Sequence, residues 1–332
     1  MDRPLVALLL AGGTGTRLYP ASRADRPKQL QAFGGDRSLL RRTADRVRFA
    51  DERFVVTSER YKERVGSEVP SAGVLVEAES KDTGPALVYA AHRVREQVGD
   101  CVVCCLPSDH RVAGDFEGVL RRAAAVAADT GGLVALGVEP DRPATGYGYI
   151  QPGEARDGYA PIAEFREKPD AETAARFVDA GYYWNAGVFA WTPSALLEAA
   201  RDSPLAPLVD ALDDDPARGF AEVPAISVDY AVMERAENAY VVPAAVEWDD
   251  LGSWDALARV LDADGDGNAV VGEALPIDAA GNVVASDGKH VSLVGVSDLV
   301  VAAYDDRVLV VPTDEAQRVR EVVDALREDG RF

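Results

Sequence analysis

The sequence predicts an α/β fold, in which a Rossmann-like, mostly parallel sheet carries helices on both faces and a small β-rich domain follows at the C-terminus. Two patterns support this prediction. Over the first 135 residues, short apolar runs alternate with amphipathic stretches, which is typical of parallel strands joined by crossover helices. After residue 262, short strands separated by turn residues recur. We therefore expect two domains, residues 1–262 and residues 263–332.

The strands of the first domain are expected to be buried on both faces, because their apolar runs are continuous rather than alternating. Ligands of such sheets bind beyond the carboxyl ends of the strands. The expected strands are 6–10, 54–57, 74–77, 101–106 and 133–136, and the helices between them are 38–47, 60–65, 84–97 and 116–128.

Beyond residue 140 the pattern changes to strands joined by loops, which predicts an elaboration at the edge of the sheet that carries a second substrate. A segment rich in Gly and Asp, 262–268, is interpreted as a solvated linker, because its spacing does not fit a calcium loop. The expected strands are 147–151, 162–166, 188–191, 239–243 and 246–248, with helices at 193–201 and 231–237. In the C-terminal domain they are 269–271, 282–285, 291–296, 299–303 and 308–311, before a closing helix at 313–327.

The chain is strongly acidic, with 56 Asp and Glu against 35 Lys and Arg and a net charge of −21. This balance argues against binding nucleic acid through a broad basic surface. A phosphate-binding site in such a protein must concentrate its few cations locally. Because high salt screens the self-repulsion of an acidic surface, a halophilic source is a hypothesis. An unchanged melting temperature between low and molar salt would contradict it.

No apolar run reaches the roughly 18 residues that a membrane helix needs, and residues 5–10 lack the cleavage site of a signal peptide. We therefore expect a cytoplasmic protein with no membrane partner. Cys101, Cys104 and Cys105 lie in one apolar run, and we interpret them as small buried hydrophobes rather than as metal ligands or disulfide partners.

The turn Gly12-Gly13-Thr14-Gly15-Thr16 directly follows a predicted buried strand. Its glycines let the backbone approach a ligand closely and point amides at phosphate oxygens, and Arg17 and Lys28 add positive charge. The turn is not a P-loop, because no Gly-Lys-Ser/Thr closes it, and Leu18 stands where a dinucleotide fingerprint needs a third glycine. We predict a site for a nucleoside triphosphate.

The run 11–30 resembles the N-terminal motif of sugar nucleotidyltransferases, and Ser22-Arg23 followed by Pro27-Lys28-Gln29 is similar to the mannose-1-phosphate guanylyltransferases among them. The resemblance covers essentially the whole chain. It continues in order through Thr83-Gly-Pro85, Leu106-Pro-Ser-Asp-His110, Thr145-Gly-Tyr-Gly-Tyr-Ile150, Glu167-Lys-Pro169, Tyr183-Trp-Asn-Ala-Gly-Val188, Ser227-Val-Asp-Tyr-Ala-Val-Met-Glu234 and Trp248-Asp-Asp-Leu-Gly-Ser-Trp254.

The resemblance implies where each substrate lies. Arg17 and Lys28 would neutralise the leaving pyrophosphate, and Lys168 would hold the sugar phosphate. The remaining contacts would be to the nucleotide from Gly12, Gly13, Thr14, Gly15, Thr16, Thr83, Pro85 and Asp109, and to the sugar from Gly146, Glu167 and Asn185.

The resemblance also implies a Mg²⁺ site on Asp109 and Asp250. Such a site makes chemical sense, because Mg²⁺ usually takes one or two carboxylates together with substrate phosphates and waters. Asp249 is the neighbour that could be confused with Asp250, but the position of Gly252-Ser253 in the motif favours Asp250.

The implied reaction is transfer of GMP from GTP to mannose 1-phosphate, which gives GDP-mannose and pyrophosphate. Lys81-Asp82 stands before Thr83 where Arg-Asn is usual, and this departure touches the base-binding loop. Three alternatives stay open: another sugar and nucleotide pair, such as glucose 1-phosphate with dTTP or UTP; a non-catalytic nucleotide-sugar sensor; and an NAD-dependent dehydrogenase, against which the missing third glycine argues. The C-terminal domain, similar to a short left-handed β-helix in relatives, could mediate a homodimer.

Overall fold

The computed structural model describes residues 3–13, 15–33 and 35–332. The chain divides into two compact units, each built from several segments. The first unit comprises Met1–Gly12, Thr43–Ser108 and Val112–Trp248, and the second comprises Gly13–Arg42, Asp109–Arg111 and Asp249–Phe332. The domain boundary expected after residue 262 stays a prediction.

The first unit contains a nine-stranded sheet flanked by helices. The strands as far as residue 249 are β1 (Leu5–Leu10), β2 (Glu52–Ser58), β3 (Gly73–Glu77), β4 (Val102–Pro107), β5 (Arg111–Ala113), β6 (Leu133–Val138), β7 (Tyr149–Pro152), β8 (Ala160–Arg166), β9 (Tyr183–Trp191), β10 (Ala239–Pro243) and β11 (Glu247–Asp249). The short strands β5 and β11 lie outside the nine-stranded sheet, and each includes one residue of the second unit, Arg111 and Asp249. The helices as far as residue 222 are α1 (Leu39–Arg46), α2 (Lys62–Glu68), α3 (Thr83–Val98), α4 (Phe116–Thr130), α5 (Ala171–Asp179), α6 (Pro193–Arg201), α7 (Ala206–Ala211) and α8 (Pro216–Glu222). Helix α1 begins in the segment Gly13–Arg42 of the second unit.

The strand order of this sheet is β3-β2-β1-β4-β9-β6-β10-β8-β7. The predicted fold class is confirmed, and β1, β4 and β6 are buried along almost their whole length. One detail differs from the expectation of a mostly parallel sheet. The pairs from β3 to β4 and the pair β6–β10 are parallel, but β9 inserts antiparallel between β4 and β6. The sheet is therefore mixed, because β9, which follows helix α5 in the chain, runs antiparallel to both of these neighbours.

The three cysteines lie in and just before β4 and are all buried. Burial raises the pKa of the Cys101 thiol to about 11 and that of Cys104 to about 12. These thiols therefore stay protonated at neutral pH, as expected of small core residues.

The second unit contains a small sheet in which three parallel strands stack like the rungs of a β-helix and a fourth pairs antiparallel at the edge. Asn268 and Asn282 lie buried at the same place in successive coils, and the Asn282 amide donates to Asn268 Oδ1 over 2.9 Å. The elements are α9 (Trp254–Val260), β12 (Ala269–Ile277), β13 (Val283–Val294), β14 (Leu299–Tyr304), β15 (Arg307–Pro312) and α10 (Val319–Glu328).

Candidate functional site

The glycine turn of the second unit is closed around Lys28. Gly15 has φ +65°, and a Cβ added there would lie only 2.4 Å from the Cβ of Lys28, so only glycine fits. A Cβ on Gly13 would meet nothing within 4 Å among the described atoms, which leaves its backbone open to a ligand. Thr16 begins a short 3-10 helix, Thr16–Leu18. Thr14 lies outside the described residues.

Lys28 joins the two aspartates proposed above for the metal. Its side chain is only 4 % exposed, and Nζ donates to Asp109 Oδ2 over 2.9 Å and to the backbone oxygen of Asp250 over 2.7 Å. Burial by itself would raise the pKa of Asp109, but the charge of Lys28 outweighs it and holds this pKa below its ordinary value. Asp109 is therefore ionised at neutral pH.

Asp250 has a second cation beside it. The Arg17 guanidinium lies 3.8 Å from its carboxylate, and the backbone N–H of Gly252 donates to Oδ1 over 3.1 Å. Burial opposes ionisation, yet the charges of Lys28 and Arg17 hold the pKa of Asp250 below its ordinary value. The next residue, Leu251, has φ +46°, a strained backbone of the kind that often marks functional sites.

The neighbouring Asp249 has different partners. Its Oδ2 lies 3.0 Å from the Arg259 guanidinium, and its Oδ1 accepts the N–H of Leu251 over 2.8 Å. Asp249 is thus committed to holding α9 and the turn, whereas Asp250 is the aspartate placed with Lys28 and Arg17.

The residues of this cluster fit a Mg²⁺ ion. Asp109 and Asp250 supply two ionised carboxylates, which is the protein contribution that Mg²⁺ usually takes when substrate phosphates complete its shell. Among the described residues no group of three or more His, Cys, Asp or Glu side chains could hold a metal ion by itself. Two carboxylates leave the rest of a Mg²⁺ shell to waters and to the oxygens of a bound phosphate.

A second polar cluster lies in the first unit, where Glu167 and Lys168 follow β8. Lys168 Nζ lies 2.5 Å from Glu167 Oε1, and Lys168 has φ +46°. Glu167 Oε2 is buried and has no hydrogen-bond partner among the described atoms. A Cβ on Gly148 would lie 2.4 Å from that oxygen, while one on Gly146 would meet nothing within 4 Å. A buried acceptor beside open space suits a ligand hydroxyl.

Asn185 lies in β9 beside this pair, with part of its amide already used. Its Nδ2 donates to Asp229 Oδ1 over 2.8 Å, and its Oδ1 accepts the N–H of Gly187 over 3.0 Å. One N–H and one lone pair remain for a ligand.

Sequence reasoning missed Asp229 and Glu234. Asp229 begins a π-helical turn, Asp229–Met233, where a regular helix was expected from residue 231, and such turns often occur at functional sites. Glu234 Oε1 accepts the backbone N–H of Glu167 over 3.1 Å. Both residues belong to the block Ser227-Val-Asp-Tyr-Ala-Val-Met-Glu234, which was the available signal.

The carboxyl of Asp229 is destabilised as an anion. Burial, aided by the charge of Glu167, raises its pKa from the ordinary 3.8 to about 7, against the opposing effects of Lys168 and of the Asn185 hydrogen bond. A raised pKa stabilises the fold at low pH, and this contribution disappears as pH rises through the folded value.

We therefore compare the unfolding free energy of wild type with that of Asp229→Asn. Between pH 5.5 and pH 8.5, wild type is expected to lose about 1–2 kcal/mol more than the variant does. The reason is that the asparagine carries no charge to be desolvated at either pH. Denaturant unfolding of both proteins at the two pH values measures the difference. A difference that is independent of pH would contradict the expectation.

Thr83 and Pro85 lie in the first turn of α3. Thr83 Oγ1 accepts the N–H of Val228 over 3.0 Å, which ties this turn to the segment that carries Asp229. Lys81 donates to the carbonyl oxygens of Phe220 and Val223 over 2.7 and 3.1 Å, so the residue that departs from the family pattern is engaged with the end of α8. In the same unit, a Cβ on Gly12 would lie 3.0 Å from Glu77 Oε1.

Comparisons with known proteins show the family to which the chain belongs. The profile of the family "Nucleotidyl transferase" matches residues 6–266, and that of "MannoseP isomerase/GMP-like beta-helix domain" matches residues 272–326. The "Xanthan biosynthesis protein XanB" of Xanthomonas campestris pv. campestris strain B100 is 37 % identical over 98 % of this chain and 74 % of its own length. The "Mannose-1-phosphate guanylyltransferase" of Escherichia coli is 35 % identical over 98 % of this chain and 75 % of its own length.

A solved structure from Thermus thermophilus, described as a "mannose-1-phosphate geranyltransferase", superposes with a TM-score of 0.91 at 36 % identity. It covers 98 % of this chain and 99 % of its own. Within the described part of this chain, no helix has both the length and the apolar character needed to cross a bilayer.

Proposed function

The chain belongs to the nucleotidyl transferase family, and from this membership we propose that it transfers GMP from GTP to mannose 1-phosphate, giving GDP-mannose and pyrophosphate. The observation that carries the catalytic part of the proposal is the buried Lys28, which contacts both Asp109 and Asp250. The chain is acidic overall, yet it buries Lys28 against Asp109 and Asp250, beside the open backbone of Gly13. Charge is therefore concentrated at this place. Such a place suits a polyphosphate and a divalent cation.

The chemistry needs position and charge rather than a protein nucleophile. An ionised phosphate oxygen of mannose 1-phosphate attacks the α-phosphorus of GTP in line. The new P–O bond forms as the bond from the α-phosphorus to the bridging oxygen of pyrophosphate breaks, and pyrophosphate leaves with that electron pair. Arg17 and Lys28 neutralise the charge that builds on the leaving group, which is the main contribution a protein makes to such transfers.

The first unit supplies the sugar side. Lys168 holds the phosphate of the nucleophile, and the unpartnered Glu167 Oε2 and the remaining amide groups of Asn185 accept and donate to sugar hydroxyls. Asp229 and Glu234 act through these residues by fixing Asn185 and the Glu167 backbone. Gly146 leaves room for the ring.

Nucleotidyl transfer in this family uses a divalent metal ion, and we propose Mg²⁺, held by Asp109 and Asp250. When bound, the ion neutralises phosphate charge and orients the two substrates. The residues proposed for the nucleotide are Gly12, Gly13, Thr14, Gly15, Thr16, Thr83, Pro85 and Asp109.

The remaining expectations about the protein's setting are also proposals. The net charge of −21 supports the absence of a nucleic-acid partner and a halophilic source. A biosynthetic role with small-molecule substrates supports a cytoplasmic location. The β-helix-like sheet of the second unit is the part proposed to form a homodimer.

A substrate panel tests the function. The purified chain is incubated with each of GTP, dTTP, UTP and ATP against mannose 1-phosphate or glucose 1-phosphate, with Mg²⁺, and pyrophosphate release is measured. We expect GTP with mannose 1-phosphate to exceed every other pair by about tenfold or more in kcat/KM. Preference for glucose 1-phosphate with dTTP or UTP would replace the proposed substrates, and binding without any turnover would favour the sensor.

A further inference from the structure

Two tight turns of opposite charge lie against each other within the second unit. The first is the turn 23–26, closed by hydrogen bonds of 3.0 Å between the backbones of Arg23 and Arg26 in both directions. The second is the turn between β14 and β15, where Asp305 has φ +49°. One turn therefore presents two guanidinium groups, and the other presents carboxylates.

Asp305 pairs with both arginines through one oxygen. Arg26 donates to Asp305 Oδ2 over 2.7 Å, and Arg23, which is 9 % exposed, donates to the same oxygen. Asp287 in β13 supports this arrangement, since its Oδ2 accepts the backbone N–H of Asp305 over 2.8 Å and lies 3.4 Å from Arg26. Hydrogen bonds from Lys289 and from the Asp305 backbone overcome desolvation and lower the pKa of Asp287 to about 2.

The charged contact lies two residues from Lys28. Pro27, with its fixed φ of −66°, is the only residue between Arg26 and Lys28, so the position of Arg26 limits where the lysine backbone can lie. The other end of the same loop is held too, because Trp254 Nε1 donates to the backbone oxygen of Tyr19 over 2.9 Å. Lys28 itself has little freedom, since Gly15 packs against its stem.

We propose that Asp305 and Asp287 are positioning residues for the transfer reaction: they hold the turn 23–26, and through it Lys28, so that the small C-terminal sheet is a working part of the triphosphate site. The inference rests on the proposed function only in naming that site. It assigns a role to a sheet in which the sequence shows no catalytic feature. Because coupling between sites is reciprocal, triphosphate binding in turn stabilises the β14–β15 turn.

The test compares Asp305→Asn with Asp298→Asn. Both aspartates have left-handed backbones in turns of the same sheet, with φ of +49° and +56°, and asparagine tolerates that conformation. The two substitutions therefore remove the same charge from left-handed positions at either end of β14, but of the two only Asp305 carries the arginine contacts. Arg26→Gln and Arg26→Lys form a second pair, in which lysine keeps the charge.

Asp305→Asn and Arg26→Gln are expected to lower kcat by about tenfold, as displacement of a positioned charge does, and to raise KM for GTP. KM for mannose 1-phosphate should stay within about twofold, because Lys168, Glu167 and Asn185 lie in the other unit. Asp298→Asn should behave as wild type, and Arg26→Lys should recover part of the loss. Equal kinetics for Asp305→Asn and Asp298→Asn would overturn the proposal, as would parallel rises in both KM values.

Hydrogen exchange without substrates gives a readout that does not depend on the reaction. The amides of residues 22–31 should exchange faster in Asp305→Asn and Arg26→Gln than in Asp298→Asn, while those of β1 and β4 keep their protection. Adding GTP to wild type should slow exchange at residues 304–307. Unchanged exchange at residues 22–31 would overturn the positioning role even if the substrate panel confirms GDP-mannose synthesis. Faster exchange would support the role even if another nucleotide is preferred.

Discussion

Replacement of Lys28 by alanine is expected to lower turnover by roughly 10²-fold or more, the scale for losing a preorganised charge-stabilising group. The side chain is buried and already lies 2.9 Å from Asp109 and 2.7 Å from the Asp250 backbone oxygen. In wild type, a fixed cation stabilises the negative charge that develops on pyrophosphate. In the variant this cation is absent, and Asp109 and Asp250 have lost the partner that they share.

The control for this experiment is Lys62→Ala. Lys62 is an exposed lysine that lies 3.4 Å from Glu59, and an exposed pair of this kind contributes little. Pyrophosphate release under saturating substrates measures kcat for both variants, and their melting temperatures show whether each is folded. Turnover of a folded Lys28→Ala protein within twofold of wild type would contradict the role given to Lys28.

Much of the fold could be predicted because many of its strands and helices have a hydrophobic pattern that is visible within a short stretch of sequence. The strands β1, β4 and β6 are continuous apolar runs, and the helices α3 and α4 have clear apolar faces. The place of β9 could not be predicted in this way, because its antiparallel insertion between β4 and β6 depends on pairing partners far away in sequence. The short helices α7 and α8 were missed as well, since each has at most seven residues and carries too little periodicity.

The residues of the candidate site also differ in whether local sequence predicts them. Glycines and cations that are close in sequence, such as Gly15, Arg17 and Lys28, could be predicted as site residues from their spacing and from the family resemblance. Asp229 was missed because it becomes distinctive only when the fold brings Asn185 beside it, 44 positions away. The contact of Arg26 with Asp305 spans 279 positions, and no local pattern records such a pair. The resemblance supplied roles for motif residues, and the structure adds the residues that hold them in place.

The second large effect is expected at the adjacent residues Asp249 and Asp250. The same change, aspartate to asparagine, should mainly lower stability at Asp249 and mainly lower turnover at Asp250. Asp250→Asn is expected to lower turnover by roughly 10²-fold and to raise the Mg²⁺ concentration needed for half-maximal activity, since it removes the negative charge of the proposed ligand, which lies beside Arg17 and Lys28. Its effect on stability should be small, because the amide oxygen can still accept the N–H of Gly252.

Asp249→Asn should do the reverse. It places an amide donor or a neutral oxygen against the Arg259 guanidinium, which lies 3.0 Å from the carboxylate. Asp249 is buried but Arg259 is exposed, so losing this pair costs about 1 kcal/mol. Unfolding free energy should therefore fall, while the turnover of folded enzyme and its Mg²⁺ dependence stay within a few-fold of wild type. Mg²⁺ titrations of activity and denaturant unfolding of the two variants measure both properties. If Asp249→Asn alone shifted the Mg²⁺ requirement, the metal ligand would be Asp249, and the contacts of Lys28 and Arg17 with Asp250 would be structural.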